Sequence, residues 1–392
     1  MTTVTNLSPV LGTSSSIDID GEYTVELSAA AQYGQYENGN YWIVGPVTLN
    51  DVVGADGGMI NPRSDESMGF GPRPEIEKGW SYSAANDITQ NYPIAVSTGE
   101  SIVMAQTQVF NFPDQARIRD LRVAHVVDTI PWDDSFSPPY TGSTKYDYTW
   151  RDVDEAALNL QNYPLVGVSP DIDAIIAQFD HPWYDAKRGW SARFIHPEGN
   201  MPDYGREMAG WTHRAAAMLH FDYPIEKKRT LLKRLIQLGL DYIGCRESHA
   251  TDELWFADGG HPQGRKLPIL IAGIALQNQT FIDYCGGVGR WAFGEDEQTY
   301  FIGTPGPTTA HWAVTPDRRD GVTLSDWGQS YQQCCTAKVW WGSVFFCREG
   351  GHVAAYNHDQ FFWYMDRYVA EPSTVGDQFW GSFEQFLYTQ YG

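Results

Sequence analysis

The hydrophobic period of this chain changes near Trp150, and that change constrains the fold more than any other feature. Between Glu22 and about Ile130, apolar and polar residues alternate, and clusters of Gly, Asn, Asp and Pro separate the segments. Such alternation is typical of half-buried strands. From Trp150 onward the apolar residues recur at helical spacing. The sequence therefore predicts an α+β chain whose β-rich part precedes its helical part.

Composition divides the chain further. Residues 1–20 are polar and rich in Ser and Thr, which indicates an N-terminal arm. Residues 21–148 carry the strand pattern and predict a β-sandwich-like domain, whose Pro-rich end at 135–148 is interpreted as a link. Residues 149–392 predict an (α/α) toroid-like helical domain, because consecutive helices without intervening strands pair antiparallel.

Two helices of the C-terminal part have clear boundaries in the sequence. The first is predicted at 204–221 with Asp203 as its N-cap, and the second at 225–244 with Gly244 as its C-cap. Further helices are predicted at 267–280, 329–347, 354–370 and 376–390.

The densest group of candidate functional residues lies in 255–276, WFADGGHPQGRKLPILIAGIAL. A polar half with three glycines precedes an apolar run that is too short to span a membrane and suits a buried helix. Glycines let the main chain approach a ligand, and His titrates near neutral pH. We expect a ligand site here, although a polar loop that precedes a core helix fits the same pattern. The candidates are Trp255, Asp258, His261, Gln263, Arg265 and Lys266.

The helix at 204–221 supplies the remaining candidates. Arg206, His213 and His220 recur every seven residues, so they share a stripe opposite the apolar face. This stripe is either a solvated face or the lining of a cleft that Arg206 and His213 enter. Tyr204 adds a phenol at the start of the helix.

Charge and cysteine content narrow the possible functions. The net charge of -22 and the pI near 4.7 argue against nucleic acid as a partner, because phosphate binding needs a basic surface.

The five cysteines form no CxxC pair, so we expect buried thiols, without a disulfide framework or a zinc site. Asp258 and His261 could bind a metal, but their spacing matches no helical HxxxH pattern, so no metal or cofactor is expected. The absence of GxSxG and P-loop motifs argues against a triad hydrolase and a nucleotide enzyme. No apolar run is long enough to predict a membrane-spanning helix. The N-terminus also lacks the pattern of a secretory signal.

Several segments together resemble blocks of a group of poorly characterised, mostly secreted bacterial proteins that pair a β region with a helical toroid. The segments are NGNYWIVGPVTL, SFSPPYTGSTK, NMPDYGREMAG, ADGGHPQGRKLPILIAGIAL, QCCTAKVWWG and YNHDQFFWYMDRYV. In architecture this group is similar to helical-barrel, alginate-lyase-like polysaccharide lyases. The resemblance implies an extracellular protein whose partner is a polysaccharide.

The leading functional hypothesis is a polysaccharide lyase that cleaves a uronate-containing polymer by β-elimination. The reaction needs a cation at the uronate carboxylate, a base for the C5 proton and an acid for the leaving O4. Arg265 or Arg206 is assigned the first role, His261 or His213 the second, and Tyr204 the third. Substrate-binding residues are expected to be Trp255, as a stacking platform, with Asp258, Gln263 and Lys266.

Two alternatives stay open at this point. The polar N-terminus and the missing signal also suit a non-catalytic, glycan-binding component of a particle such as a phage tail, which would place the protein in a virion and in a homo-oligomeric or larger assembly. A glycoside hydrolase is the other alternative, with Asp258 and either Glu253 or Asp252 as its carboxylate pair.

Overall fold

The computed structural model describes residues 6–62, 82–109, 116–186, 195–248, 254–287, 291–327, 331–371 and 377–392. Within these ranges a sheet-rich N-terminal part precedes a mostly helical part, which confirms the mixed class predicted from the period change. No helix in the described ranges is both long and apolar enough to cross a membrane.

Eight strands form one sheet that curls into a nearly closed, barrel-like shape, where the sequence predicts a sandwich of two sheets. In chain order the strands are β1 Val10–Ile19, β2 Tyr23–Gln35, β3 Tyr41–Val44, β4 Val47–Val53, β5 Gly57–Asn61, β6 Ile94–Val96, β7 Ser101–Val109 and β8 Ala116–Val127. Their spatial order is β5-β7-β8-β3-β2-β4-β6, and β1 also pairs with β2. The parallel β3–β8 pair joins the early strands to the late ones and so lets one sheet close on itself.

Residues 10–19, assigned to an arm by composition, are strand β1 in the structure. Ile17 and Ile19 are fully buried and pair in register with Val25 and Tyr23 of β2. Two apolar side chains at alternate positions are enough to fix one face of the strand against the core. The Ser-rich composition conceals this alternation.

Strands β7 and β8 bury both of their faces. On β7, Ile102 and Met104 pack into the core inside the curled sheet, whereas Val103 and Ala105 pack into the core of the helical part. The alternation of side chains along a strand makes this double role possible. One face of this wall of the sheet therefore belongs to the core inside the curled sheet, and the other face packs against the helical part.

Ten helices and a short strand pair follow in the described ranges. The helices are α1 Ile172–Ile176, α2 Gly205–Met218, α3 Ile225–Ser248, α4 Lys266–Ala275, α5 Gln279–Tyr284, α6 Gly294–Gln298, α7 Trp341–Glu349, α8 Val353–Tyr356, α9 Asp359–Ala370 and α10 Ser382–Tyr391. The strands are β9 Thr299–Phe301 and β10 Ala310–Trp312, which pair antiparallel.

Helix α4 lies at the centre of the helical part. All of its residues are buried, as expected for a helix that is apolar on every side from Leu267 onward. It packs against α3 on one side and α5 on the other, while α2 packs against α7. The loop that precedes α4 therefore enters the interior of the protein, and this determines what its polar residues can contact.

Candidate functional site

Close main-chain packing fixes the Gly-rich loop before α4. A Cβ atom on Gly205, at the start of α2, would lie 1.9 Å from the His261 carbonyl oxygen. Gly264 has φ +89, and its Cβ would lie 2.6 Å from Ala209 Cα. Only glycine fits at both points of contact. The glycines therefore serve the packing of this loop against α2.

Arg265 and Trp255 both donate to a buried carboxylate that the sequence analysis does not identify. Asp185 Oδ2 accepts from Arg265 Nε at 2.8 Å and from Trp255 Nε1 at 3.0 Å, while Oδ1 lies 3.0 Å from His196 Nε2. Burial alone would raise the pKa of Asp185, but the Arg265 charge and the His196 hydrogen bond outweigh it and lower that pKa. Arg265 also donates to the His261 carbonyl at 2.8 Å. These contacts tie Arg265 and Trp255 to the interior and leave neither facing a substrate.

Lys266 forms a second buried ion pair. Its Nζ lies 2.8 and 2.7 Å from the two carboxylate oxygens of Asp296, and 3.9 Å from the ring centre of Tyr356. Glu295 is fully buried beside this pair, and its Oε1 accepts from the Gly264 N–H at 2.6 Å. Its Oε2 has no hydrogen-bond partner among the described residues. Burial raises the pKa of Glu295 to about 7.

Two cations and three carboxyl groups are buried around this loop. Arg265 and Lys266 supply two cations, and Asp185, Asp296 and Glu295 supply three carboxyl groups. The two aspartates pair with the two cations, and burial of the remaining carboxyl raises the pKa of Glu295.

Gln263 and His213 are buried with interior partners as well. Gln263 Nε2 donates to Gln298 Oε1 at 2.9 Å, and Gln263 Oε1 accepts from Trp340 Nε1 at 2.8 Å. His213 Nδ1 lies 2.9 Å from the Val339 carbonyl oxygen, and burial lowers the pKa of His213 to about 4. His213 is therefore neutral at pH 7 and buried in the interior. The sequence analysis predicts that the stripe of α2 that carries it is either a solvated face or the lining of a cleft, and the burial of His213 fits neither.

The remaining predicted site residues lie together at the surface. The rings of Tyr204 and His261 meet edge to face at 4.6 Å, and the Arg206 guanidinium lies 5.7 Å from the centre of the Tyr204 ring. Burial raises the pKa of Tyr204 to about 12. Arg206 already pairs with Glu207 and donates to the Cys334 carbonyl at 3.1 Å. Asp258 is also partly exposed.

Cys334 and Cys335 form a disulfide between neighbouring residues, which the sequence analysis does not predict. They lie in a short π-helical turn, Gln332–Thr336, where the sequence predicts part of an α-helix. Cys245, Cys285 and Cys347 are buried thiols, as predicted. Glu253 and Asp252, named for a hydrolase, lie outside the described residues.

A groove of ≈ 640 Å³ lies at the edge of the sheet, beside the segment interpreted as a link. Its lining combines the aromatic rings of Tyr36, Trp132 and Tyr148 with the carboxylates of Asp128 and Asp147. Trp132 is 43% exposed, a large fraction for an indole. The run PWDDSFSPPYTGSTKYDY, with its aromatic and acidic residues among prolines, carries the signal that could have found this groove in the sequence.

The groove offers hydrogen-bonding groups and carries negative charge. Gln32 and Asp147 are exposed in its lining, and their side chains form no hydrogen bond with other described residues. No Lys, Arg or His is found among the described residues that line it. Arg151 lies near the rim, 5.6 Å from the Trp132 ring centre, but it pairs with Asp133 and Asp134.

No cluster of three or more His, Cys, Asp or Glu side chains suited to a metal ion occurs within the described ranges. A comparison with protein-family models finds no match for this chain, and neither do comparisons with curated proteins and with solved structures.

Proposed function

We propose that this protein binds a neutral glycan in the groove beside Trp132. The observation that carries the proposal is the composition of the groove, in which aromatic faces and unpaired polar side chains surround a volume of ≈ 640 Å³. Small-molecule sites commonly occupy a few hundred to about 1,000 Å³ and pair apolar walls with a few polar groups.

Each part of the groove matches one part of a sugar. The C–H face of a pyranose ring is apolar and packs on an exposed aromatic ring such as that of Trp132. Sugar hydroxyls donate hydrogen bonds, and the Asp128 and Asp147 carboxylates are strong acceptors for them. The Gln32 amide can both donate to and accept from a hydroxyl.

The charge of the groove favours neutral sugars over the uronates expected from the sequence. A uronate carboxylate would lie close to Asp128 and Asp147, and like charges at short range repel each other. The net charge of -22 adds to this repulsion at longer range.

Titration with neutral oligosaccharides, followed by Trp fluorescence and calorimetry, tests the proposal. Trp132→Ala should weaken binding by about 10- to 100-fold, because truncating a central aromatic anchor commonly costs about 1.4–2.8 kcal/mol. The matched control is Tyr331→Ala, since Tyr331 is 50% exposed and lies against the Gly-rich loop, away from the groove. Equal affinity of Trp132→Ala and the unaltered protein would refute the groove as the site.

A polysaccharide lyase with a toroidal helical domain is the second candidate. The contact between Tyr204 and His261 favours it, because an acid and a base in contact at a surface suit proton transfer to and from one sugar. The burial of Arg265 leaves Arg206 as the cation for the uronate, and Arg206 already pairs with Glu207.

Absorbance near 235 nm reports the new C=C bond that a lyase creates. Alginate, glucuronan, pectate, ulvan and glycosaminoglycans serve as the substrate panel. A rise on one of them that His261→Ala abolishes would support the lyase, and a rise that His261→Ala leaves unchanged would refute the assignment of His261. An extracellular location stays a prediction of the lyase hypothesis, and assembly into a particle stays a prediction of the non-catalytic, glycan-binding alternative.

A further inference from the structure

The curled sheet opens between β2 and the β3–β4 segment. Tyr33 pairs with Ile43, and Leu27 pairs with Leu49, in one common antiparallel register. If the ladder continued between these pairs, Ser28–Gln32 would face Val44–Thr48. The two segments instead separate, and the gap between them is a trough of ≈ 480 Å³.

Residue types explain why the strands separate here. Pro46 would lie opposite Ala30 and has no N–H to donate to a ladder. The Gly45 N–H donates to the Val127 carbonyl at 2.8 Å, so it is directed toward β8. Neither residue can bridge to β2 in the usual way.

Trough and groove adjoin each other. Gln32 and Val44 line both of them, so these two residues mark the boundary at which one ends and the other begins. No charged side chain occurs among the described residues that line the trough. Its β2 edge consists of Ser28, Ala29 and Ala30, which are small and exposed.

The edges of the trough present main-chain groups. Ser28–Ala30 have no register partner in the described parts of β1, β3 and β4, the three strands that pair with β2. Main-chain N–H and C=O groups are strong hydrogen-bonding groups, and small side chains let a ligand come close to them. A sugar chain, with hydroxyls that both donate and accept, can use such groups without a fixed ladder.

We infer that the ligand is an extended neutral polysaccharide, with one segment held by the aromatic groove and the next by the trough between β2 and the β3–β4 segment. This inference rests on the proposed function. A peptide strand fits less well, because Pro46 interrupts the donors that a regular ladder would need.

The dependence of affinity on chain length tests the inference. Cello-, malto-, xylo- and manno-oligosaccharides of increasing length are titrated into the full chain by calorimetry. We expect affinity to rise at least about tenfold between short and long members of the series that binds, since a second contact region adds to the first.

Ala30→Ile fills the trough with a β-branched side chain that suits a strand. It should remove the gain with length and leave the affinity of the shortest ligand unchanged. Ser15→Ile, at an exposed position of β1 outside the trough, is the control and should keep the gain.

The two proposals fail in different ways. If short neutral oligosaccharides bind and longer ones bind no better, the extended site is refuted while the groove stands. If no neutral oligosaccharide binds at any length, the proposed function itself fails. Should Ala30→Ile not fold, the length series of the unaltered protein decides alone, because it requires no substitution.

Discussion

Replacing Glu295 with Gln should remove a stability change near neutral pH. Glu295 is fully buried, and burial raises its pKa to about 7 from the ordinary value of 4.5. Its Oε1 accepts from the Gly264 N–H, an interaction that the amide oxygen of Gln can keep. The substitution therefore removes the proton equilibrium and retains the shape and this hydrogen bond.

The sign and size of the effect follow from the pKa difference. Below pH 4.5 the group is protonated in the folded and the unfolded states and has no effect. Between pH 4.5 and 7 the unfolded chain releases the proton while the folded protein keeps it, so stability falls as pH rises. The pKa difference corresponds to about 3 kcal/mol, and above pH 7 that loss is constant.

Urea unfolding at about pH 5 and about pH 8 measures the free energy of unfolding of both proteins. Glu295→Gln should differ little from the unaltered protein at the lower pH and be more stable by about 3 kcal/mol at the higher pH. Glu226→Gln, at a side chain that is 82% exposed, is the control for the loss of one carboxylate at the surface. A Glu295→Gln protein that is equally destabilised at both pH values would refute the reasoning.

Two further substitutions test whether the Gly-rich loop is structural. Arg265→Met should destabilise the fold by about 3–5 kcal/mol in urea, because Asp185 stays buried without its cation, and adding Asp185→Asn should recover part of the loss. A stable Arg265→Met protein would contradict this structural role. Gly205→Ala should cost at least about 1–3 kcal/mol because its Cβ would meet the His261 carbonyl, whereas Gly167→Ala, with open space around it, should leave urea unfolding unchanged. Equal stability of the two alanine variants would refute the close packing.

Periodicity predicts the larger elements because it reports which faces are buried. Helix α3 begins at Ile225 as predicted, and α2 matches its predicted range to within three residues at either end. Gly244 does not end α3, since the helix continues to Ser248. A Cβ on Gly244 would lie 2.4 Å from Pro139 Cβ, so this glycine serves a close approach between distant segments. Its neighbours in the sequence give no sign of that contact.

Local capping residues end helices at positions where the hydrophobic periodicity of the sequence continues. The helix predicted at 267–280 is two helices, α4 and α5, because Gln277 has φ 52 and the Asn278 side chain accepts from the Phe281 N–H at 3.2 Å. Asn357, with φ 55, similarly separates α8 from α9 within the predicted 354–370. Apolar spacing continues through such breaks and therefore cannot locate them.

The candidate site was harder to predict than the fold because its charges are satisfied by distant partners. Arg265 pairs with Asp185, 80 residues away, and Lys266 pairs with Asp296, 30 residues away. A loop rich in Gly, His, Arg and Lys looks alike whether its charges face a ligand or a buried carboxylate. Only the apolar run of helix α4 after Lys266 indicates that the chain turns inward at this point.

Cation pairing also bears on which glycan would suit the proposed site. Beyond the buried pairs, many surface cations of the described chain have a carboxylate partner, including Arg206–Glu207, Lys227–Asp173, Arg229–Glu155, Lys233–Glu37, Arg234–Asp180 and Arg348–Asp366. A uronate polymer would have to take such a cation from its protein carboxylate, and exchanging one exposed ion pair for another gains little free energy. Neutral sugars require no such exchange, because they bind through stacking and hydroxyl hydrogen bonds. The same excess of acid that disfavours a uronate supplies the acceptors that a neutral sugar needs.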